Sequence, residues 1–367
     1  MPTKRSAVLL AACLGACAGG NRPPPTAVFP LSTSWTALLS DAVVPPLATD
    51  GRRVFVSTRD GVLRAFDSTA GRLLWEVRDR AGVLTAAAGM LVLRQEDGSV
   101  WRIDPETGSA RWKSRAGIAG TLPAVLDGRG IVVAGDGIAA LDETDGRLLW
   151  TQPGPTPVTA LPALHGGWIL AGEADGSLRC RERATGRPLW SVATGSPLRA
   201  PAVVDRDGRI LLGTTARRFA ALDLGARGRE RWRWRLGADV TSPAVVVDDK
   251  VLFASLESVL YALKRGNGHL AWRAPLPSRP LSGPLAVESA VLVACLESDI
   301  LGFDSRTGRK LGGLRTPTEM RTPPILVGRR VLVGLRNPAA LACLSLPPLE
   351  PQPDPSPEVE ATPETAH

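Results

Sequence analysis

This chain is poor in the side chains that usually carry out chemistry. Its 367 residues include three His, five Cys, one Tyr and three Met. His165, His269 and His367 stand far apart, with no HExxH or similar pair, so no spaced ligand set for zinc is present. A GxSxG elbow, a phosphate-binding glycine loop and a CxxC pair are also absent. Nucleophilic hydrolysis, nucleotide chemistry and dithiol exchange are therefore left without their usual sequence signals. The apolar run at residues 7–16 stops at ten residues, too short to cross a bilayer as a helix. No segment keeps a 3.6-residue apolar period, which argues against helical architecture.

What the chain does have is a ladder of tryptophans. Trp35, Trp75, Trp112, Trp150, Trp190, Trp232 and Trp272 follow one another at steps of 37 to 42 residues, and the next beat falls on Gly312. Six of them close a longer phrase, as in AFDSTAGRLLW at residues 65–75 and ALDETDGRLLW at residues 140–150. The turn glycines of these phrases are Gly71, Gly108, Gly146, Gly186 and Gly268, with Gly308 in the copy that ends at Gly312. Asp and Gly are tight-turn residues, so each phrase reads as strand, turn, strand. Two further short apolar runs precede each phrase, giving four strands per 40 residues, the unit of a β-propeller.

Seven units end at Trp75 through Gly312. After them come three strands without a fourth, while Trp35 lies on a strand without partners. The expected fold is all-β: an eight-bladed propeller over residues 34–346, closed by the N-terminal strand joining the last blade, which leaves no open edge.

Both ends differ from this body. Residues 1–16 have the basic start and short apolar core of a signal peptide. Leu14-Gly15-Ala16-Cys17 resembles a bacterial lipobox, which makes Cys17 the expected lipid acceptor. Cys13 is the less suitable alternative, and a plain signal peptide remains open. Residues 17–33, with Pro23-Pro24-Pro25, read as a lipidated tether. One lipidated Cys, its thiol carrying diacylglycerol, without a further apolar span places the protein on a membrane, not across it. The Ala after Cys17 favours the periplasmic side of the outer membrane. Residues 347–367 carry five carboxylates and no Lys or Arg, and read as a disordered Pro/Glu-rich tail. The net charge of +8 comes from Arg scattered over all blades, without a basic stripe, and a secreted address argues against nucleic acid. Cys180, Cys295 and Cys343 read as small buried hydrophobes.

Residues that recur once per blade build the frame. The phrase carboxylates Asp67, Asp104, Asp142, Asp223 and Asp304 read as turn caps, and the tryptophans as wedges. Neither set reads as an active site. Specificity is expected where blades differ. On the face formed by the second turn of each blade and the inter-blade loops, blades one to four present Asp60, Asp97, Asp136 and Asp175, each before a Gly, whereas blade five presents Arg217-Arg218. A protein partner docking across blades four and five would use this contrast; the alternative is that Asp only forms turns. RERWRWR at residues 229–235 brings Trp234 as a second anomaly, read as an Arg–Trp stack or as an edge for strand addition.

The phrase A-x-D-x-x-T-G-x-x-x-W resembles the tryptophan-docking repeat of the pyrroloquinoline-quinone propeller superfamily, over about residues 35–346. The long quinoprotein dehydrogenases of that superfamily imply a quinone, calcium and commonly a vicinal Cys pair, which this chain lacks. The outer-membrane assembly factor BamB and its relatives are lipoproteins of this size, eight-bladed and without cofactor. That resemblance implies a non-enzymatic scaffold, monomeric within a larger complex, that contacts a BamA-like barrel-assembly component. In those relatives the contacts come from loops after the third and fourth blades, here residues 153–161 and 194–200. Leu198-Arg199 supplies a Leu-Arg step one blade later than expected, and the acidic pair is missing. A quinone- or sugar-processing enzyme and a glycan- or peptidoglycan-binding propeller are the alternatives.

Overall fold

The computed structural model describes residues 27–348, apart from residues 88 and 127. Cys17, the leader and the tail from residue 349 onward lie outside the described residues. These residues form eight four-stranded antiparallel sheets. The first blade runs Val43–Thr49, Arg53–Thr58, Leu63–Asp67 and Leu73–Val77, termed strands A to D from the first to the last. The B and C strands are short apolar runs buried on both faces, such as Val54-Phe55-Val56, and inter-blade clusters form between them. The D strands lie outermost and alternate exposed with half-buried residues.

One register rule holds in all eight blades. Each ladder tryptophan pairs with a residue of the C strand: Ala65 with Trp75, Arg102 with Trp112, Ala140 with Trp150, Cys180 with Trp190, Ala221 with Trp232 and Ala262 with Trp272. A bulge follows each of these pairs. The ring then lies on the turn glycine of the next blade. A Cβ added at Gly71 would clash with the Trp35 ring, and one at Gly108, Gly146, Gly186, Gly228, Gly268 or Gly308 would come within 2.5–2.8 Å of the preceding tryptophan. These glycines also hold φ between 69° and 80°, so both the close approach and the left-handed backbone exclude other residues. The fifth of them, Gly228, is hidden in the sequence because the blade-five phrase is one residue longer. The indole N–H groups of Trp75, Trp150 and Trp272 donate to the carbonyls of Pro105, Arg183 and Ser305 at 3.0–3.1 Å, tying neighbouring blades.

The ring closes as expected. Strand Ser32–Leu38 pairs antiparallel with Ala340–Ser345, and Trp35 sits opposite Cys343 in the same register as the other ladder members. The packed chain begins earlier than residue 34, however. Val28 is fully buried, Leu31 nearly so, and Phe29 packs against the cluster between blades seven and eight. This corrects the tether boundary, and its cause is the missing tryptophan. Blade seven pairs Gly302 with Gly312, and the eighth blade has no turn between its third and fourth strands, because the chain is in two pieces there. The D strand of blade seven carries no ring at this register position. Phe29 fills the space instead: a Cβ at Gly312 would lie 2.5 Å from its Cγ. Arg329 fastens both pieces by donating to the Ala27 carbonyl at 3.1 Å and the Pro347 carbonyl at 2.8 Å.

Candidate partner-binding face

The phrase carboxylates cap their turns. Asp67 accepts the amides of Thr69 and Ala70 at 2.8 and 2.7 Å, and Asp104, Asp223 and Asp304 do the same in their blades. The amide of Ala70, then that of Thr69, holds the Asp67 carboxyl below its usual range. For Asp142 the Thr144 hydroxyl leads. Burial is the largest single influence on Asp104 and Asp304 and raises both. The turn amides, together with Arg111 for Asp104 and with the Thr307 hydroxyl and the Arg306 charge for Asp304, nonetheless hold the carboxyls below the usual range. The three inner cysteines are free and fully buried, and burial pushes each thiol up to about 11. His165 ends a strand and His269 lies in an exposed turn; no group of three or more metal-capable side chains occurs among the described residues.

On the face of the B–C turns and inter-blade loops, a cavity of about 530 Å³ opens across blades three to five. Its walls include Gly120, Thr121, Asp136, Pro157, Thr159 and Arg199. The turn carboxylates around it are not equal. Asp97 accepts the Ser99 amide at 2.9 Å and Asp175 the Ser177 amide at 2.8 Å, so both act within their own turns. Asp60 accepts the Thr58 hydroxyl. Asp136 stays exposed at the cavity.

The basic side of the face also separates into unequal parts. Arg199 is exposed and Arg217 stands at the tip of its turn with φ 55°. Arg218 is half-buried and donates to the Thr194 carbonyl, which makes it a tie between blades four and five and not a partner-facing charge. Leu198 is 1% exposed and its Cβ packs on Gly172. Burial in the core thus removes it from the expected contact set. Trp234 is half-buried against the cluster of blades five and six. The expected Arg–Trp stack is not what its strand forms: Arg231 pairs with Asp223 and Arg233 with Glu230. Cations sit over Trp101 instead, Arg80 at 4.0 Å and Lys113 at 4.4 Å.

Arg94 is the feature the sequence reading missed. In the register that pairs it with Val100, the other blades place Ser57, Ala134, Gly172, Gly213, Ala254, Ala294 and Gly334. A large cation in a slot otherwise held by Ser, Ala or Gly was the available signal. Arg94 is 1% exposed and donates to the carbonyls of Leu122, Ile118 and Ala134. It thereby pins the loop that forms one cavity wall. Burial lowers its pKa to about 10, with Asp136 opposing, so it stays charged at neutral pH. A second buried charge cluster supports blade four, where Glu173 accepts from Arg179 at 2.7 Å and from Thr156 at 3.1 Å.

A ring of eight blades, seven of them wedged by a tryptophan on the next blade's glycine and one by Phe29, with a cavity walled by loops that differ from blade to blade, defines a tryptophan-docked β-propeller. The family model described as "Outer membrane protein assembly factor BamB" matches residues 32–137, 81–222 and 134–345, which together cover most of the chain. The protein belongs to the BamB family. It is 28% identical over 336 residues to the factor of that name from Bordetella pertussis, covering 83% of this chain and 84% of the relative. It is 27% identical to that of Nitrosomonas eutropha, covering 79% and 75%. The crystal structure of BamB from Moraxella catarrhalis superposes with a TM-score of 0.71 at 19% identity, over 86% of this chain and 100% of that one.

Proposed function

We propose that the protein is a non-enzymatic scaffold of the outer membrane, held by a lipid on Cys17 at the periplasmic face, that supports assembly of β-barrel proteins. It works as a single copy within a larger complex and needs no cofactor. Its partner is a BamA-like barrel-assembly component, docked on the B–C face around blades four and five. The observation that carries this reading is the cavity on that face, lined by exposed Arg199, with exposed Arg217 on the blade-five turn where blades one to four carry Asp. Family membership supplies the class of partner. The aromatic rings that could stack on a quinone or a sugar are largely engaged within the fold, since the ladder tryptophans lie on glycines of neighbouring blades.

The test is capture of the barrel-assembly component by the purified protein. Arg199→Glu with Arg217→Glu should weaken capture at least tenfold while the melting temperature holds, because both side chains are solvent-exposed. Unchanged capture by this double variant would remove the assignment of the face.

A further inference from the structure

The opposite face, formed by the A–B and C–D turns, is electrically lopsided. Around blades seven, eight and one it carries Arg309 and Lys310, Arg329 and Arg330, and Arg52 and Arg72. The carboxylates of that sector are engaged locally. Asp67 and Asp304 accept amides of their own turns, Asp50 pairs with Arg53 at 2.8 Å, and Glu288 pairs with Arg329 at 2.8 Å. In the adjoining sector the turns of blades two and three are richer in carboxylates, with Asp104, Glu106, Asp142, Glu143 and Asp145; Asp104 and Asp142 cap their own turns and Glu106 pairs with Arg53 of blade one.

The chain enters the propeller inside the basic sector, since the Ala27 carbonyl is held by Arg329. Ala27 stands ten positions after Cys17, with nine residues between them. Fully extended, those ten steps reach at most about 35 Å, at roughly 3.3–3.6 Å per residue. If the lipid is on Cys17, as proposed above, the basic turns are confined close to the bilayer surface.

We propose that the turn face of blades seven, eight and one rests against the membrane and takes anionic phospholipid headgroups. The acidic sector then tilts away, leaving the B–C face free for a protein partner. Basic residues near an anionic surface each strengthen binding about fivefold, and salt screens the effect. Arg329 is already paired with Glu288, so the five other basic residues of the sector add an electrostatic hold and an orientation to the diacylglyceryl group expected on Cys17.

The test uses the chain from residue 17 onward carrying Cys17→Ser, so that no lipid contributes. It is sedimented with vesicles of phosphatidylcholine, alone or mixed with phosphatidylglycerol. Binding is expected only with phosphatidylglycerol and should fade with added salt. Arg309→Glu, Lys310→Glu and Arg330→Glu together should weaken it more than tenfold, and the matching Gln set by an intermediate factor, with the fold checked by melting. Equal binding to both vesicle types, or wild-type binding by the triple Glu variant, would overturn the proposal. So would binding that emerges only after residues 349–367 are removed, since the acidic tail would then be the sector's occupant. Fractionation of the wild type keeps the two readings apart: membrane association without vesicle binding by the unlipidated chain sinks this surface and leaves the anchor standing. Soluble wild type with intact vesicle binding sinks the anchor and leaves the surface.

Discussion

Replacing Phe29 by Ala should destabilise the propeller, and adding a tryptophan at position 312 should repair the damage. Phe29 fills the slot between Gly302 and Gly312 that an aromatic from the D strand fills in other blades. Truncating a fully buried Phe costs about 3–5 kcal/mol, and the half-buried state of Phe29 brings the expected loss to about 2–3 kcal/mol. Thermal unfolding should then begin about 4–6 °C lower. Gly312→Trp alone should also destabilise, since its Cβ would come 2.5 Å from the Phe29 ring carbon. In the double variant the ring enters from the strand, the clash is gone, and about half or more of the loss should return as a coupling of at least 1 kcal/mol. Denaturant titration of the four proteins closes the cycle. A Phe29→Ala loss below about 0.5 kcal/mol, or additive single effects, would refute the assignment of Phe29 as the eighth wedge.

Trp75→Ala should cost about 3–5 kcal/mol in denaturant titration, because the ring fills the space over Gly108, whereas Trp168→Ala on the exposed rim should cost under about 1 kcal/mol. Arg94→Met leaves the carbonyls of Ile118, Leu122 and Ala134 without their donor; a loss of about 2–4 kcal/mol and faster amide exchange in residues 116–122 are expected. The cap carboxylates give a pH signature. Their folded pKa values lie below the unfolded ones, so the unfolded chain binds more protons in acid; the caps' stabilisation is full above the unfolded carboxylate range and falls away as pH drops through the folded values. Asp67→Asn with Asp142→Asn should flatten that acid limb in melts taken across pH. Cys180, Cys295 and Cys343, buried and with thiols raised to about 11, should resist a thiol reagent at pH 8 until denaturant opens the fold.

The architecture was legible because it is periodic. A wedge that meets a turn glycine in seven blades writes itself into the chain at a nearly fixed step, and an orphan strand at Trp35 facing an incomplete last blade leaves one way to close. Phe29 escaped because its slot lies more than 270 residues away and it appears once, in a segment that reads as a tether. The paired glycines 302 and 312, where other blades have a residue facing Trp, were its only trace. The candidate site was less legible. Leu198 and Arg199 are neighbours in sequence, but the loop turns one into the core and the other into solvent. Arg217 and Arg218 part in the same way, and a charge pattern alone does not say which carboxylates are engaged in their own turns.

The most direct measurement is site-specific photo-crosslinking in intact cells, with the reactive group placed in turn at Arg199, at Arg217 and, on the opposite face, at Arg309. Adducts with a barrel-assembly component from positions 199 and 217, and none from 309, are the expected result. Adducts with that component from 309 alone, or none at any position from a protein that is folded and exported, would contradict the scaffold reading.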